Sequence, residues 1–189
     1  HAAWYTEPGK YLMSDKNLDC LQGTLNMSKG AVSSGIKKFV GIGTCFEYDL
    51  SGGLLSVDTP LKPITPYAAM KASTFLPLSQ LFYLFGDGED QRRLVPYIKS
   101  RLKNNKFVEL TRGNQIRDFM NVSVAGNMIC DVALANVLGV INVCSGVPIT
   151  VRQFAENIAD TFGKRELLRF GARPDNAVDP FCVIGIPTR

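Results

Sequence analysis

Tyr67 and Lys71 are the residues of this sequence whose types and spacing could most directly do chemistry. Proline at position 66 is typical of the first turn of a helix, and residues 68–71 are good helix formers. The i, i+4 spacing therefore places the phenol and the ammonium on one helical face. Because a nearby positive charge favours the phenolate, we predict that Lys71 lowers the pKa of Tyr67 below its free value of about 10. Tyr67 would then exchange protons near neutral pH, whereas the alternative for both residues is a surface pair on a helix.

Thr44 is the third candidate, because it follows an apolar segment, residues 38–43, that is typical of a short buried strand. In open parallel sheets, ligands bind beyond the carboxyl ends of the strands. The hydroxyl of Thr44 could therefore hydrogen-bond a ligand or the phenol of Tyr67. The alternative is a hydroxyl that only caps the main chain at the end of the strand.

Strand-like and helix-like segments alternate along the chain, which predicts a mainly parallel α/β sheet. The predicted helices cover residues 16–31, with a stop at Gly35, then 66 to about 80, 94–102, and 151–162 between an N-cap at Thr150 and a stop at Gly163. The predicted strands cover residues 38–43, 81–85, 108–110 and 140–143.

Two junctions, at residues 80–81 and 136–138, join elements without turn residues, although a crossover between parallel strands needs a return loop. The sequence also has no glycine-rich phosphate loop of the form G-x-x-G-x-x-G between a strand and a helix. We therefore expect a partial chain, or residues missing at these junctions.

The composition is that of an ordinary globular protein. With 189 residues, 46% of them hydrophobic, the chain can bury a sizeable core, either in one domain or in one domain and a small second lobe. A net charge of +4, with no aromatic residues interleaved in the dense basic stretches, favours a solvated surface over nucleic-acid binding. The apolar stretch 75–85 is too short to cross a membrane and no signal peptide opens the sequence, so we expect a cytoplasmic protein. The 5 cysteines form no C-x-x-C pair, which indicates reduced thiols and no metal site.

Other short motifs occur in a fixed order around the candidate residues. They are H-A-A at 1–3, G-I-G-T-C-F-E-Y at 41–48, Y-A-A-M-K at 67–71, G-N-Q-I-R-D-F at 113–119, I-N-V-C-S-G at 141–146 and A-R-P-D at 172–175. In this order they resemble the extended short-chain dehydrogenase/reductase family, and within it the nucleotide-sugar epimerase/dehydratase group that includes UDP-galactose 4-epimerase. The resemblance covers nearly the whole chain but lacks the N-terminal phosphate-loop portion of the family.

This resemblance implies a Rossmann-like doubly wound parallel sheet, here partial, with a smaller C-terminal α/β substrate-binding lobe. Residues 1–86 would be the C-terminal part of the dinucleotide-binding domain. Residues 87–189 would be mainly the substrate-binding lobe, with 111–146 crossing back to the sheet domain. A homodimer is also implied, in which the helix of Tyr67 and the helix before the Thr44 strand form an intermolecular four-helix bundle.

The resemblance also implies catalytic roles for Thr44, Tyr67 and Lys71, with NAD or NADP as cofactor and a nucleoside-diphosphate sugar as substrate. Tyr67 would take a proton from a sugar hydroxyl, usually at C4, while hydride passes to the nicotinamide, and Lys71 would hold the nicotinamide ribose. The further residues implied to contact the cofactor are Ala2, Ala3 and Asn17. The residues implied to contact the substrate are Cys45, Phe46, Tyr83, Arg117 and Arg173, the two arginines through the diphosphate.

The sequence departs from the family's dehydratases directly after Thr44. Those enzymes carry an acid pair or one glutamate there, whereas this chain has Cys45 and Phe46. Glu47 comes one residue later and, on a strand, would face the other way. We therefore argue against a 4,6-dehydratase and expect an epimerase. The alternatives are a ketoreductase of a 4-keto-6-deoxy nucleotide sugar and a catalytically silent binding or regulatory protein.

Each arginine also has an alternative role that involves no ligand. Arg117 could form a salt bridge with Asp118 or Asp131, and Arg173 could pair with Asp175 on the surface.

Overall fold

A computed structural model describes residues 1–74, 78–176 and 179–188. Its helices are α1 (Lys16–Ser33), α2 (Pro66–Ser73), α3 (Leu94–Lys103), α4 (Val122–Leu134) and α5 (Val151–Asp160). Its strands are β1 (Gly41–Thr44), β2 (Leu54–Leu55), β3 (Leu78–Leu81), β4 (Tyr83–Phe85), β5 (Val108–Leu110), β6 (Ile116–Asn121), β7 (Ile141–Val143), β8 (Pro148–Thr150), β9 (Leu168–Phe170) and β10 (Cys182–Gly185). The predicted mixed α/β fold with parallel strands is confirmed.

The sheet that carries Thr44 is parallel, with the strand order β1-β3-β7. On the outer edge of β1, the Ile42 N–H donates to the His1 carbonyl at 3.0 Å and the His1 amino group donates to the Val40 carbonyl at 2.7 Å. This alternation is the pattern of a parallel ladder, so the main chain at His1 lies beside β1 as a further neighbour. The predicted helix before this strand is confirmed as α1, which packs against α2.

A second sheet has the strand order β2-β10-β6-β4, and β8 pairs antiparallel with β6. Asp118 on β6 joins it to the turn after β7. Its buried carboxylate accepts hydrogen bonds from the N–H groups of Ser145 and Gly146, both at 2.8 Å, and from the Gly185 N–H at 3.3 Å. Strands β5 and β9 form a separate parallel pair, which packs with α3 and α5 around a core of Ile98, Leu102, Val108, Leu110, Ala155, Ala159 and Leu168.

The predicted helix from residue 66 to about 80 is wrong in its second half, because apolar runs do not distinguish a buried helix from a buried strand. Helix α2 ends at Ser73, and residues 78–81 form β3. The predicted strand 81–85 is divided at Phe82, since β3 pairs with β1 and β7 while β4 pairs with β6. Residues 75–77, inside the predicted helix, lie outside the described residues.

Other predicted elements agree with the structure, and six of the described helices and strands were missed. The segments predicted as helix 94–102 and strands 108–110 and 140–143 are confirmed as α3, β5 and β7 within one or two residues. Helix α5 is confirmed with Thr150 as its N-cap, whose hydroxyl accepts from the Gln153 N–H at 3.0 Å. The elements that were not predicted are α4 and the strands β2, β6, β8, β9 and β10. Strand β6 was missed because the polar residues of the R-D-F motif hide the pattern of a buried strand.

Substitution of Gly185 tests how closely the second sheet packs on the turn after β7. A methyl group at this position would lie 2.5 Å from the Cys144 side chain and 2.8 Å from the Phe82 ring. We expect Gly185→Ala to lower the free energy of unfolding by about 1–3 kcal/mol in a denaturant titration. Gly23→Ala, on the exposed side of α1 where a methyl group meets nothing within 4 Å, should instead raise it by up to about 1 kcal/mol. Equal effects of the two substitutions would contradict this packing.

Candidate active site

Thr44, Tyr67 and Lys71 come together in the structure at the carboxyl end of β1. Thr44 ends the strand, and α2 holds the other two residues on one buried face. The helix starts where it does because the Thr65 hydroxyl accepts from the Ala68 N–H at 3.2 Å and proline occupies the first turn. Relative exposures of 7%, 8% and 5% for Thr44, Tyr67 and Lys71 rule out a plain surface pair.

Burial controls the ionisation of the Tyr67 phenol. Removal of water raises the pKa of Tyr67 above its ordinary value, and hydrogen bonding to Thr44 opposes this rise. The predicted fall of the Tyr67 pKa is therefore wrong for the chain without ligands. The Lys71 ammonium is directed elsewhere, since its Nζ donates to the Ile42 carbonyl at 2.7 Å and lies 4.3 Å from the centroid of the Trp4 ring.

Burial acts on Lys71 in the opposite direction. It lowers the pKa of Lys71 to about 8, and the negative charge of Glu47 opposes the fall. The expectation that Glu47 would face away is wrong, because β1 ends at Thr44 and residues Cys45–Glu47 form a 3-10 turn. Glu47 Oε1 accepts from the Thr44 N–H at 2.7 Å, and Glu47 Oε2 accepts from Gln80 Nε2 at 3.2 Å.

Sequence reasoning missed this arrangement of Glu47, although the signal was present. Thr44 and Glu47 match the capping box, in which a threonine and a glutamate three residues later cap each other's main chain. The capping box predicts that the strand ends at Thr44 and that the Glu47 side chain turns back towards the Thr44 main chain.

Aromatic rings from the loop before α1 surround the phenol of Tyr67. The Tyr11 ring lies 4.8 Å from it and the Trp4 ring 6.4 Å from it, both edge-on. Asn17, buried on α1, fixes this loop. Its Oδ1 accepts from Trp4 Nε1 at 2.8 Å, and its Nδ2 donates to the carbonyls of Tyr11 and Ser14, each at 2.7 Å. The side chain of Asn17 thus already bonds within the protein, while Ala2 and Ala3 are exposed.

Two of the residues predicted to contact the substrate, Cys45 and Phe46, directly follow Thr44 in the sequence. Cys45 is buried in the core, and burial raises the pKa of its thiol to about 12. Phe46 lies 6.3 Å, ring to ring, from Tyr83. Within the described residues the Tyr83 hydroxyl is buried without a hydrogen-bond partner.

Arg117 is 1% exposed and fully engaged within the protein. Its Nη2 donates to Asp179 Oδ1 at 2.7 Å and to the Pro180 carbonyl at 2.6 Å, and its guanidinium lies 5.1 Å from the centroid of the Tyr83 ring. The salt bridge considered for Arg117 thus exists, but its partner is Asp179 and not Asp118 or Asp131.

Arg173 is exposed and lies apart from this cluster, with its guanidinium 4.5 Å from the Tyr97 ring centroid. Asp175, the surface partner considered for Arg173, instead forms an ion pair with Arg112 at 3.5 Å. The structure therefore brings Arg117 to Tyr83 but sets Arg173 against α3.

Three further observations bear on what the chain can bind. No described helix has both the length and the hydrophobicity that a membrane crossing requires. Across residues 1–74, 78–176 and 179–188, no three His, Cys, Asp or Glu side chains are grouped to hold a metal ion. The cysteines are free thiols.

Solved structures of nucleotide-sugar enzymes share this fold. A UDP-N-acetylglucosamine 4-epimerase from Methanobrevibacter ruminantium is 21% identical, with a TM-score of 0.81 over 92% of this chain and 61% of that chain. A dTDP-glucose 4,6-dehydratase from Streptomyces venezuelae, solved with NAD bound, is 19% identical, with a TM-score of 0.79 over 92% of this chain and 59% of that chain. A dTDP-glucose 4,6-dehydratase from Bacillus anthracis, in complex with NAD, is 18% identical, with a TM-score of 0.81 over 98% of this chain and 63% of that chain.

At these identities the likeness shows the fold, and it confirms the predicted Rossmann-like architecture. The chain spans about three fifths of the length of these structures, between 59% and 63%. No curated protein sequence matches it significantly. The model of the NAD dependent epimerase/dehydratase family matches residues 2–144. Because that match covers more than half of the sequence and includes Thr44, Tyr67 and Lys71, the chain belongs to the NAD dependent epimerase/dehydratase family.

Proposed function

We propose that this chain carries the catalytic residues of an NAD(P)-dependent epimerase that acts on a nucleoside-diphosphate sugar. The reaction oxidises a sugar hydroxyl, at C4, to a ketone and then reduces the ketone from the opposite face. The observation that carries the proposal is the joint burial of Thr44, Tyr67 and Lys71 at the carboxyl end of β1. Structural neighbours that include nucleotide-sugar epimerases, and others solved with NAD, support the same class of reaction.

The nicotinamide dinucleotide would bind at the outer edge of β1. An ammonium has three N–H donors, and the hydrogen bond that Lys71 makes to described residues, on the Ile42 carbonyl, uses one of them. The other donors would hold the hydroxyls of the nicotinamide ribose. Ala2 and Ala3 would line the same site, and Asn17 would support it through the loop that it fixes. Bound there, the dinucleotide supplies the oxidant for the sugar carbon and the reductant for the ketone.

Tyr67 would transfer the proton. As the phenolate, its oxygen next to Thr44 would accept the proton of the sugar hydroxyl during oxidation, and the resulting phenol would return that proton to the ketone oxygen during reduction. Thr44 would hold the sugar oxygen in line with the phenol. Lys71 is charged below its pKa of about 8, so a step that needs its ammonium weakens as the pH rises through that value.

The site argues for epimerisation over dehydration. Loss of water from the sugar needs an acid directly after Thr44, and the chain offers there a buried thiol with a pKa of about 12, Cys45, and the apolar Phe46. Glu47 is next in sequence, but both of its oxygens already accept hydrogen bonds from Thr44 and Gln80. The dehydratases among the structural neighbours therefore share the fold but carry no argument for this reaction here.

Residues 87–189 would form mainly the substrate-binding lobe, and residues before them would complete the substrate site. Phe46 and Tyr83 would pack beside the sugar, and the unpartnered Tyr83 hydroxyl would gain a hydrogen bond from it. The diphosphate would compete with the Asp179 carboxylate for the forked donors of Arg117. Arg173, which is exposed, would be the second arginine to contact the diphosphate.

A homodimer through α1 and α2 is part of the proposal. These helices pack on each other, and α1 leaves Leu18 and Leu25 about half exposed, at 58% and 47%. Apolar side chains in such positions would be covered by the same helices of a second copy.

The second candidate is a ketoreductase of a 4-keto-6-deoxy nucleotide sugar. One observation favours it: burial raises the pKa of Tyr67, so that at neutral pH the phenol holds the proton that a ketone oxygen needs. The two candidates use the same three residues and differ in whether the reduced cofactor is consumed.

The Tyr67 hydroxyl gives the first test of catalysis. We expect Tyr67→Phe to reduce turnover of the active nucleotide sugar by about 10²–10⁴-fold, because the variant loses its proton carrier, with little change in KM. The control is Tyr48→Phe, which removes a buried hydroxyl that donates to Asn142 Oδ1 at 2.9 Å and should affect stability but not turnover. Turnover in Tyr67→Phe equal to that of the wild type would contradict the catalytic role of Tyr67, whereas a wild type without turnover of any nucleotide sugar would support the catalytically silent alternative.

Cofactor balance separates the epimerase from the ketoreductase. For an epimerase, we expect members of a panel of UDP- and dTDP-sugars to be interconverted at C4. The absorbance of the reduced nicotinamide should show no net change, because the cofactor is reduced and reoxidised within each turnover. Steady oxidation of added NADH or NADPH in the presence of a 4-keto-6-deoxy nucleotide sugar would instead establish the ketoreductase. Tyr67→Phe should abolish either signal.

A further inference from the structure

Glu47 is a fully buried carboxylate to which the proposed reaction assigns no role. The 3-10 turn after β1 brings its two oxygens to the Thr44 N–H and to the amide of Gln80. A methyl group on Gly43 would lie 2.5 Å from Gln80 Oε1, so glycine at this position leaves the room that the Gln80 side chain needs. The neighbourhood of Glu47 is therefore built around its carboxylate.

The hydrogen bonds of β1 bring the Glu47 carboxylate and the Lys71 ammonium to the same edge of the strand. Main-chain groups of every second residue in a strand point to the same edge, so Ile42 and Thr44 share the edge on which Ile42 pairs with His1. Beyond His1, Lys71 Nζ donates to the Ile42 carbonyl and Glu47 Oε1 accepts from the Thr44 N–H, each at 2.7 Å. In a parallel ladder one residue of a partner strand would make both of these bonds. The ammonium and the carboxylate thus bind the two main-chain groups, Ile42 C=O and Thr44 N–H, that one residue of a neighbouring strand would bind.

The charges of these two groups stabilise each other in a site that excludes water. Burial lowers the pKa of Lys71 and raises that of Glu47, and in each case the charge of the other residue opposes the shift. The charge of Glu47 also acts on the phenols of Tyr48 and Tyr67 and on the thiol of Cys45. Burial raises the pKa of all three groups, so they are neutral at pH 7.

We propose that Glu47 is a positioning residue of the active site. Its carboxylate keeps Lys71 charged at the edge of β1 and fixes the main chain of Thr44, so that both residues meet the ligand in one geometry. This inference rests on the proposed function, because Glu47 acts through two residues assigned to that reaction.

The direct test is the ionisation of Lys71 in the Glu47→Gln variant. The chain is labelled with ¹³Cε-lysine and titrated by NMR, with the Lys71 signal assigned by its loss in Lys71→Met. The substituted amide keeps an oxygen for the Thr44 N–H, and Gln80 can turn its unpartnered Oε1 towards the new donor, so we expect the variant to fold. The titration midpoint of Lys71 should fall by about one pH unit, a tenfold loss of ammonium at a given pH above it. An unchanged midpoint in the folded variant would overturn the proposal.

The matched control is Asp118→Asn, which neutralises another fully buried carboxylate. Asp118 caps the turn at Ser145 and Gly146 on the second sheet, away from β1. Its loss should lower the free energy of unfolding without moving the Lys71 midpoint. Equal shifts of that midpoint in both variants would show a general loosening of the fold and would also overturn the proposal.

A kinetic measurement links Glu47 to catalysis while keeping the two proposals separable. In a wild type that turns over a nucleotide sugar, Glu47→Gln should lower kcat with little change in KM, and the fall of kcat at high pH should begin at lower pH. A pH profile identical to the wild type would contradict the role of Glu47. The NMR titration needs no substrate, so a wild type without turnover would refute the proposed function and leave the Lys71–Glu47 coupling standing on its own result.

Discussion

The buried ammonium of Lys71 is the constraint on which the rest of the site depends. A charged group removed from water is stable only when it is paired and hydrogen-bonded. Here the Ile42 carbonyl accepts one of its protons, the Trp4 ring covers it, and Glu47 supplies the opposite charge. These partners come from a strand, from the loop before α1 and from the turn after β1. The chain must therefore assemble three separate segments before Lys71 can be buried at all.

The part of the site that could be predicted from the sequence is the part that local geometry decides. The i, i+4 spacing of Tyr67 and Lys71 on a helix that starts at proline is such a feature, and so is a threonine at the end of a buried strand. The placement of Glu47 depends on whether β1 continues past Thr44 by a single residue. Alternation along a strand and reversal at a capping box send that side chain in opposite directions.

The rest of the site depends on contacts between residues far apart in sequence. The ion pair of Arg117 with Asp179 joins residues 62 positions apart, and nothing near Arg117 favours that partner over the adjacent Asp118. Asp118 is unavailable because it caps the turn after β7. The ionisation of Tyr67 is likewise set by distant rings, those of Trp4 and Tyr11, whose packing removes water from the phenol. The motif order identified the fold correctly because it samples strand ends and turns throughout the chain.

Exclusion of water raises the pKa of Tyr67 and lowers the pKa of Lys71. These opposite shifts explain how a tyrosine with a raised pKa suits reversible proton transfer. Exclusion of water makes the phenolate of Tyr67 and the ammonium of Lys71 both harder to form. Below pH 8 the chain without ligands therefore holds a neutral phenol at Tyr67 and a charged amine at Lys71. The same low polarity strengthens the electrostatic effect of every charge that enters the site. A positive charge placed next to Tyr67 therefore changes the proton affinity of the phenol far more than it would in water. Proton transfer at Tyr67 is thereby coupled to ligand binding, and the phenol keeps its proton until the reacting groups are in place.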